Sequence, residues 1–382
     1  MIEILFLLLP LAFYSGWRSA KKSNSKQCAE SSKLADDYVR GVNYLLSEKP
    51  DKALEVFINH PDVDEYTAET YLLLGNMFRN RGEVDRALRL HQNLMARSSL
   101  TKDQKASVLF ALGEDYFSAG MLDRAESVFQ ELLETNPKDV DACLPLRQIY
   151  EQTHEWEKAI QTTLCLKRKK LSDAHKKLIS HYYCEMAEQE MSFGNLHRVD
   201  EYVLKAENSF KLSVRVMILQ ADLLERKKNY KGAFKIYLKA LKQDSRLLSY
   251  LYSKITKVSA IVGKDKELES ILFHLYRSDS RVLSYLLAFI SRNGNKDVSV
   301  DFLVDDLKAK KLDIPSIIKS IDILQNNTDI FPEHEKLLLI KQSLINFLQG
   351  EAMFQCQNCG YKMQDYLWRC PACYQWDRVS QA

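Results

Sequence analysis

Three stretches of this 382-residue chain line up without gaps: "GVNYLLSEKPDKALEVF" from Gly41, "GNMFRNRGEVDRALRLH" from Gly75 and "GEDYFSAGMLDRAESVF" from Gly113. Each has a glycine, an aromatic three residues on (Tyr44, Phe78, Tyr116) and an alanine twelve residues after the glycine (Ala53, Ala87, Ala125). The frame continues without the first glycine through Tyr150 and Ala159, and through Ala221 and Ala233. Its alanines step by 34, 38 and 34 residues, and Val199 to Ala233 is again 34. Such a period is a pair of antiparallel helices that approach closely where small side chains face one another, with the aromatics filling the space beside them. A single pair leaves one face uncovered, so the core forms only by stacking, and the expected fold is an all-α solenoid with an extended concave surface. Surfaces of that kind bind peptides or proteins.

Composition agrees. Twelve glycines and eight prolines are few for this length, and 46% apolar with 27% charged residues is ordinary for a globular protein. Fifty-four basic and 51 acidic side chains leave a net charge of +3, which gives no charge-based reason to expect nucleic acid. The pattern is strong over residues 34–170, with Pro137 in "ETNPKD" ending one unit, and fades beyond about 190, where "VGKDKELESILFHLYRSDS" is a weaker unit. The helical region is expected to span 34–350, in eight or nine pairs.

The two ends differ from the middle. Ile4 to Tyr14, "ILFLLLPLAFY", carries no charge, and Glu3 is the only charged side chain from Met1 to Trp17. Seventeen to nineteen helical residues reach roughly 25–29 Å, enough for a thin hydrocarbon core. The segment lacks a basic start and a small-residue cleavage site, so residues 1–19 are expected to be an uncleaved transmembrane anchor with Tyr14 and Trp17 at its interface. Arg18, Lys21, Lys22 and Lys26 follow it and nothing positive precedes it, which puts the N-terminus outside and the rest in the cytoplasm. Residues 20–33 read as a linker.

Half of the eight cysteines fall in the last 27 residues, as Cys356-x-x-Cys359, ten residues, then Cys370-x-x-Cys373. Two intervening residues let a tight turn aim both thiolates at one centre, and two such turns supply four sulfurs for one tetrahedral metal ion, zinc or iron. Gly360 suits a turn needing positive φ and Pro371 stiffens the second. Phe354, Tyr361, Tyr366, Trp368, Tyr374 and Trp376 are expected to form an apolar shell that limits water near the sulfurs. A segment as short as 351–382 buries too little surface to fold alone, so ligation, at an apparent ~10 kcal/mol or more, is expected to be a condition of its folding. Cys28, Cys143, Cys165 and Cys184 are scattered and read as free thiols in a reducing compartment.

The motifs of enzymes are missing: there is no Gly-x-Ser-x-Gly, His-Glu-x-x-His or Gly-rich phosphate loop. The eight histidines are dispersed, and His154 beside Trp156, His175 and His181 read as surface or packing residues. "KRKK" at 167–170 reads as the solvated end of a helix. Two alternatives to a binding protein are an electron carrier centred on the knuckles, and a zinc ribbon placing Lys362, Arg369 and Arg378 on phosphates.

The repeat resembles the tetratricopeptide repeat, and the "CGY" and "CPAC" knuckles resemble rubredoxin, which binds one iron, although the ten-residue gap is shorter than a free-standing rubredoxin has. With "LFLLLPLA" at 5–12, "GVNYLLS" at 41–47, "LGNMFRNRGEVDRALRLHQNLM" at 74–95, and "CQNCGY" with "WRCPAC" at the end, the whole chain resembles the lipopolysaccharide assembly protein B family of Gram-negative bacteria. The resemblance implies a non-enzymatic, single-pass adaptor of the inner membrane that restrains lipopolysaccharide synthesis. It implies action with the protease FtsH to promote degradation of the deacetylase LpxC, alongside lipopolysaccharide assembly proteins. The family's metal ligands carry over to Cys356, Cys359, Cys370 and Cys373. Monomer and homodimer both stay open.

Overall fold

A computed structural model describes Arg18 and residues 39–41, 43–44, 50–58, 65–97, 100–135, 140–165, 172–292, 314–325, 334–349 and 353–381. The expected anchor, apart from Arg18, lies outside them, as do the linker, Cys28, Pro137 and the 167–170 basic run. Among the described residues no helix is long and apolar enough to cross a membrane. The chain divides into two compact units, Met1–Lys170 and Leu171–Ala382.

The first unit holds α1 (Pro50–Ile58), α2 (Glu65–Asn80), α3 (Val84–Met95), α4 (Lys102–Ser118), α5 (Leu122–Thr135), α6 (Val140–Gln152) and α7 (Trp156–Cys165). Helices α2/α3, α4/α5 and α6/α7 are antiparallel pairs, and α3 and α5 also pack on the first helix of the following pair. Local sequence starts and stops these helices. Thr101 and Gln104 close a reciprocal capping box at the head of α4.

In the second unit, α8 (Asp173–Phe193) pairs with α9 (Leu196–Ser209), α10 (Val214–Arg226) with α11 (Tyr230–Gln243), and α12 (Leu248–Val262) with α13 (Asp265–Ser278). Then come α14 (Leu283–Arg292), α15 (Ile314–Gln325) and α16 (His334–Gln349), each packed on the one before. Six complete pairs therefore stand among the described residues, against the eight or nine expected over a stretch that is only partly described.

The small-residue frame is the core. Ala53, Ala87, Ala125, Ala159, Val199 and Ala233 are all fully buried. Each glycine is needed because the ring four residues after its alanine lies across it. A Cβ on Gly41, Gly75 or Gly113 would come within 2.6 Å of Phe57, 2.1 Å of His91 or 2.6 Å of Phe129. His91 thus takes a phenylalanine's place with a polar ring, and its two nitrogens are both satisfied: Nδ1 lies 2.5 Å from the buried Asp115 carboxylate and Nε2 is 3.2 Å from the Leu72 carbonyl. The bond to Asp115 ties α3 to α4, and the Leu72 carbonyl of α2 faces the other nitrogen. Arg79 completes the cluster at 2.8 Å from Asp115.

The turns inside the pairs share one device, a residue in the left-handed region. Gly82, Gly120, Gly194 and Gly263 fill it in four of them, but His154 and Lys228, both at φ 60°, fill it in the others. His154 is therefore a turn residue, its ring edge-on to Trp156.

Past residue 240 the array continues under a different signature, which the glycine–alanine frame does not find. "DSRLLSYL" from Asp244 recurs as "DSRVLSYL" from Asp279, 35 residues on. Each aspartate accepts from the backbone of the arginine two residues later and holds that guanidinium by two further bonds, setting a short 3₁₀ turn before α12 and before α14. The leucines of both copies enter one core with Tyr237, Phe234 and Leu272.

Candidate metal centre

Residues 353–381 form a small three-stranded antiparallel sheet in the order β2–β1–β3, with β1 Phe354–Cys356, β2 Lys362–Met363 and β3 Val379–Gln381. The two knuckles project from it with matching backbones. In the first, Gly360 donates to the Cys356 carbonyl at 2.9 Å and the Cys356 amide donates to the Tyr361 carbonyl at 2.9 Å. In the second, Tyr374 donates to the Cys370 carbonyl at 2.9 Å and the Cys370 amide to the Gln375 carbonyl at 3.0 Å. The residue after each pair is left-handed, which Gly360 (φ 76°) meets without strain and Tyr374 (φ 58°) meets against its Cβ.

This geometry brings Cys356, Cys359, Cys370 and Cys373 together, with all four Sγ atoms within 4.8 Å of one another. Cys356 Sγ is 3.7 Å from Cys373 Sγ, and Cys359 Sγ is 3.7 Å from Cys370 Sγ. An ion bound at ~2.3 Å by four sulfurs in a tetrahedron needs S···S edges of about 3.8 Å. The donor set therefore fits one tetrahedral zinc or iron ion, and what such an ion supplies is structural: it cancels thiolate charge and crosslinks the knuckles. The sulfurs' proton affinities point the same way. The Gln375 amide, working against burial and helped by Asn358, holds the Cys373 thiol down to about 6. At Cys359 the Tyr361 amide also draws the thiol down, but partial desolvation and the crowding of the other three sulfurs push it up to about 12. Four sulfurs this close resist ionising together, and a bound cation removes that resistance.

The expected aromatic shell is only partly there. Phe354 joins Cys356, Met363, Cys370 and Val379 in the module's core. Tyr361 and Tyr374 are 46% and 44% exposed, and Cys359 is open to solvent. Tyr366 packs on that core, edge-on to Phe354 at 5.7 Å, and reaches the helical core as well, while Trp368 and Trp376 meet side chains of the helices.

There they form the module's attachment to the second unit. The Arg215 guanidinium of α10 lies fully buried between the rings of Trp368 and Trp376, 5.6 and 5.7 Å from their centroids. Its Nη2 donates to Glu185 at 2.8 Å and to Glu188 at 2.9 Å, both on α8. His181, one turn before Glu185, stacks on Trp376 at 4.9 Å and donates from Nε2 to Asp377 at 2.9 Å. Lys177 reaches the same carboxylate at 2.6 Å. Burial pushes Asp377 up, but the His181 hydrogen bond and the Lys177 charge outweigh it and hold the carboxyl at about 2. Burial pushes His181 below the ordinary histidine range, against the pull of Asp377. Tyr250 of α12 packs on Tyr366 and Trp368 at 5.2 and 6.3 Å.

The remaining candidates do not gather into a site. His175 is half-buried and bonded to Ser172, which caps α8. Arg369 lies over the Tyr374 ring at 4.8 Å and donates to that residue's carbonyl, while Lys362 and Arg378 are exposed elsewhere on the module. Cys143 and Cys184 are buried, and burial pushes the Cys184 thiol up to about 12, as expected of an inert packing residue.

Models of the tetratricopeptide repeat match residues 66–138 and 116–174, and one of a rubredoxin metal binding domain matches 354–380. The lipopolysaccharide assembly protein B of Escherichia coli K12 is 33% identical over 99% of this chain and 98% of its own. The chain belongs to the lipopolysaccharide assembly protein B family. The Haemophilus influenzae member is 30% identical over 99% of this chain and 98% of its own. A solved tetratricopeptide repeat protein of Parabacteroides merdae covers 73% of this chain and 99% of its own at 14% identity, with a TM-score of 0.35 that bears on nothing further. Membership in the lipopolysaccharide assembly protein B family joins both parts of the chain, the helical repeats and the four-cysteine module, in a single end-to-end match.

Proposed function

We propose that this protein is an inner-membrane adaptor in lipopolysaccharide assembly, held by residues 1–19 with its N-terminus in the periplasm, that promotes FtsH-dependent degradation of LpxC. The observation that carries the reading is the end-to-end match to relatives named for lipopolysaccharide assembly. Three features of the chain support it. Stacked helical pairs are a protein-binding architecture rather than a catalytic one. The apolar, uncharged N-terminal run suits an anchor, and an anchor raises the effective concentration of the platform near a membrane protease without any new contact. The metal module, clamped on α8, α10 and α12, is placed to brace a binding surface.

The test follows LpxC in cells whose own copy is replaced by a chain lacking residues 1–19, or by Cys370→Ser. A lengthened LpxC half-life in both is expected. An unchanged half-life in both overturns the reading.

A further inference from the structure

Four lysines line the outer face of α11, a helix that holds no acidic residue. Lys231, Lys235, Lys239 and Lys242 follow one another by four, four and three residues, and all are exposed. The opposite face buries Ala233, Phe234, Tyr237, Leu238, Ala240 and Leu241. We propose that this basic face, continued on α13, docks on the anionic phospholipid headgroups of the membrane that anchors the chain.

Three observations lead there. The first is that the lysines are unmatched within the chain. None of the four has an ion pair or a side-chain hydrogen bond among the described residues, although Lys205, Lys227, Lys254, Lys257 and Lys264 around them each hold a carboxylate at 2.5–2.7 Å. Lysines one turn apart repel, so the arrangement weakens the helix that carries it. A negatively charged surface outside the chain turns that repulsion into attraction.

The second is that the charge belongs to this part of the array and not to the repeat. Ala125 of α5 holds the place of Ala233, and the four matching positions there are Asp123, Ser127, Glu131 and Glu134. On α13, 35 residues on, they are Lys266, Ser270, His274 and Arg277, all exposed. Equivalent positions of successive stacked pairs face the same side. Together α11 and α13 have six basic residues against three acidic ones. Of those three, Asp265 accepts from Ser259, Glu267 is held by Lys264 and Glu269 is half-buried. On α9, before them, Glu201 matches Lys205 and the face is neutral.

The third is that the face carries charge and little that reads a ligand. The exposed side chains of α11 are the four lysines and Gln243, with no exposed ring to stack on a base. Compact point charges spread over about 17 Å suit a plane of headgroups. The inference rests on the anchor proposed above, which keeps this face beside a bilayer.

In the experiment the full chain is reconstituted in nanodiscs of phosphatidylcholine alone, or of equal parts phosphatidylcholine and phosphatidylglycerol. Amine acylation is read lysine by lysine by mass spectrometry, with the exposed Lys102 and Lys105 of α4 as the control. Lys231, Lys235, Lys239 and Lys242 are expected to react about tenfold more slowly on the anionic discs at ~0.1 M salt, and at the neutral-disc rate at ~1 M, where charges are screened beyond about 3 Å. Lys235→Gln with Lys239→Gln, at two exposed positions, should weaken docking about thirtyfold, about fivefold for each lysine, and return Lys231 and Lys242 to the neutral-disc rate. The same two positions changed to arginine should keep them protected. Equal reactivity on both kinds of disc, unchanged protection in the glutamine variant, or lost protection in the arginine variant each overturns the proposal and leaves the anchor standing. Protection by a duplex oligonucleotide or an acidic peptide, but not by anionic discs, assigns the face to another polyanion and overturns it equally. A chain that enters neither kind of disc overturns the anchor, and the membrane face with it.

Discussion

Arg215→Ala is the sharpest single test of how the metal module is held. The side chain is 2% exposed, is stacked between two indoles and is bonded to two carboxylates. Breaking a buried ion pair by removing one partner costs about 3–5 kcal/mol, mostly for the charge left behind. Here Glu185 and Glu188 keep 26% and 39% side-chain exposure and regain water, which places the cost at the lower end, ~3 kcal/mol with the lost cation–π contacts included. That energy raises the frequency of module opening about a hundredfold or more. Hydrogen exchange of the full chain, read on peptides within 353–381, measures it directly, with peptides of α4 and α5 as the internal control. Arg215→Lys keeps the charge but loses the planar fork and the stacking, so it should recover less than half of the protection. Unchanged exchange in Arg215→Ala would refute the clamp and leave the hold to the contacts of His181, Lys177 and Tyr250.

Gly113→Ala drives a methyl to 2.6 Å from the buried Phe129 ring and should destabilise α4/α5 by ~1–2 kcal/mol even after alanine's gain in helix propensity, read as faster exchange over 102–135. Lys228→Gly relieves a left-handed φ of 60° and should stabilise the α10/α11 pair by ~0.5–1 kcal/mol, seen as slower exchange in α11. Acid should loosen the module. The folded chain keeps His181 neutral and Asp377 ionised, so the unfolded state binds more protons, first as pH falls through the ordinary histidine range near ~6.5 and again below ~4. His181 faces Asp377, Arg215 and Lys177. Protection factors over 353–381, taken relative to the intrinsic exchange rate at each pH, should therefore fall from pH 7.5 to 5.5, and His181→Gln should flatten that dependence; an equal slope in the variant would exclude His181 as the cause.

What the sequence made legible was local. The alanines are readable because each packs one helix on its neighbour within the same 34-residue unit, and the four cysteines because a tight turn fixes each pair's geometry. His91 shows the limit: it falls on the phenylalanine position of the frame, yet its partner Asp115 sits in the next pair, and nothing local marks the pairing. The attachment of the metal module is less legible still, since His181 and Asp377 are 196 residues apart. One signal was on the page, an arginine inside the apolar run "VRVMIL" that opens α10, a place where charge is costly unless it is paired. Closeness in sequence places the aromatics around the sulfurs, and Phe354 and Tyr366 do pack on the knuckles' core, but Trp368 and Trp376 meet α8, α10 and α12, partners that nothing local marks. The later repeats escaped because their frame is built on Asp-Ser-Arg turns and leucines, not on glycine and alanine.

The account rests on four sulfurs closing around one ion, and the most direct measurement of that is native mass spectrometry of the freshly purified full chain together with a count of reactive thiols. One zinc or iron per chain is predicted, with Cys356, Cys359, Cys370 and Cys373 all protected from alkylation, and with both the ion and the exchange protection of 353–381 lost in Cys370→Ser. A metal-free chain whose four terminal thiols alkylate freely while the module stays protected would contradict it.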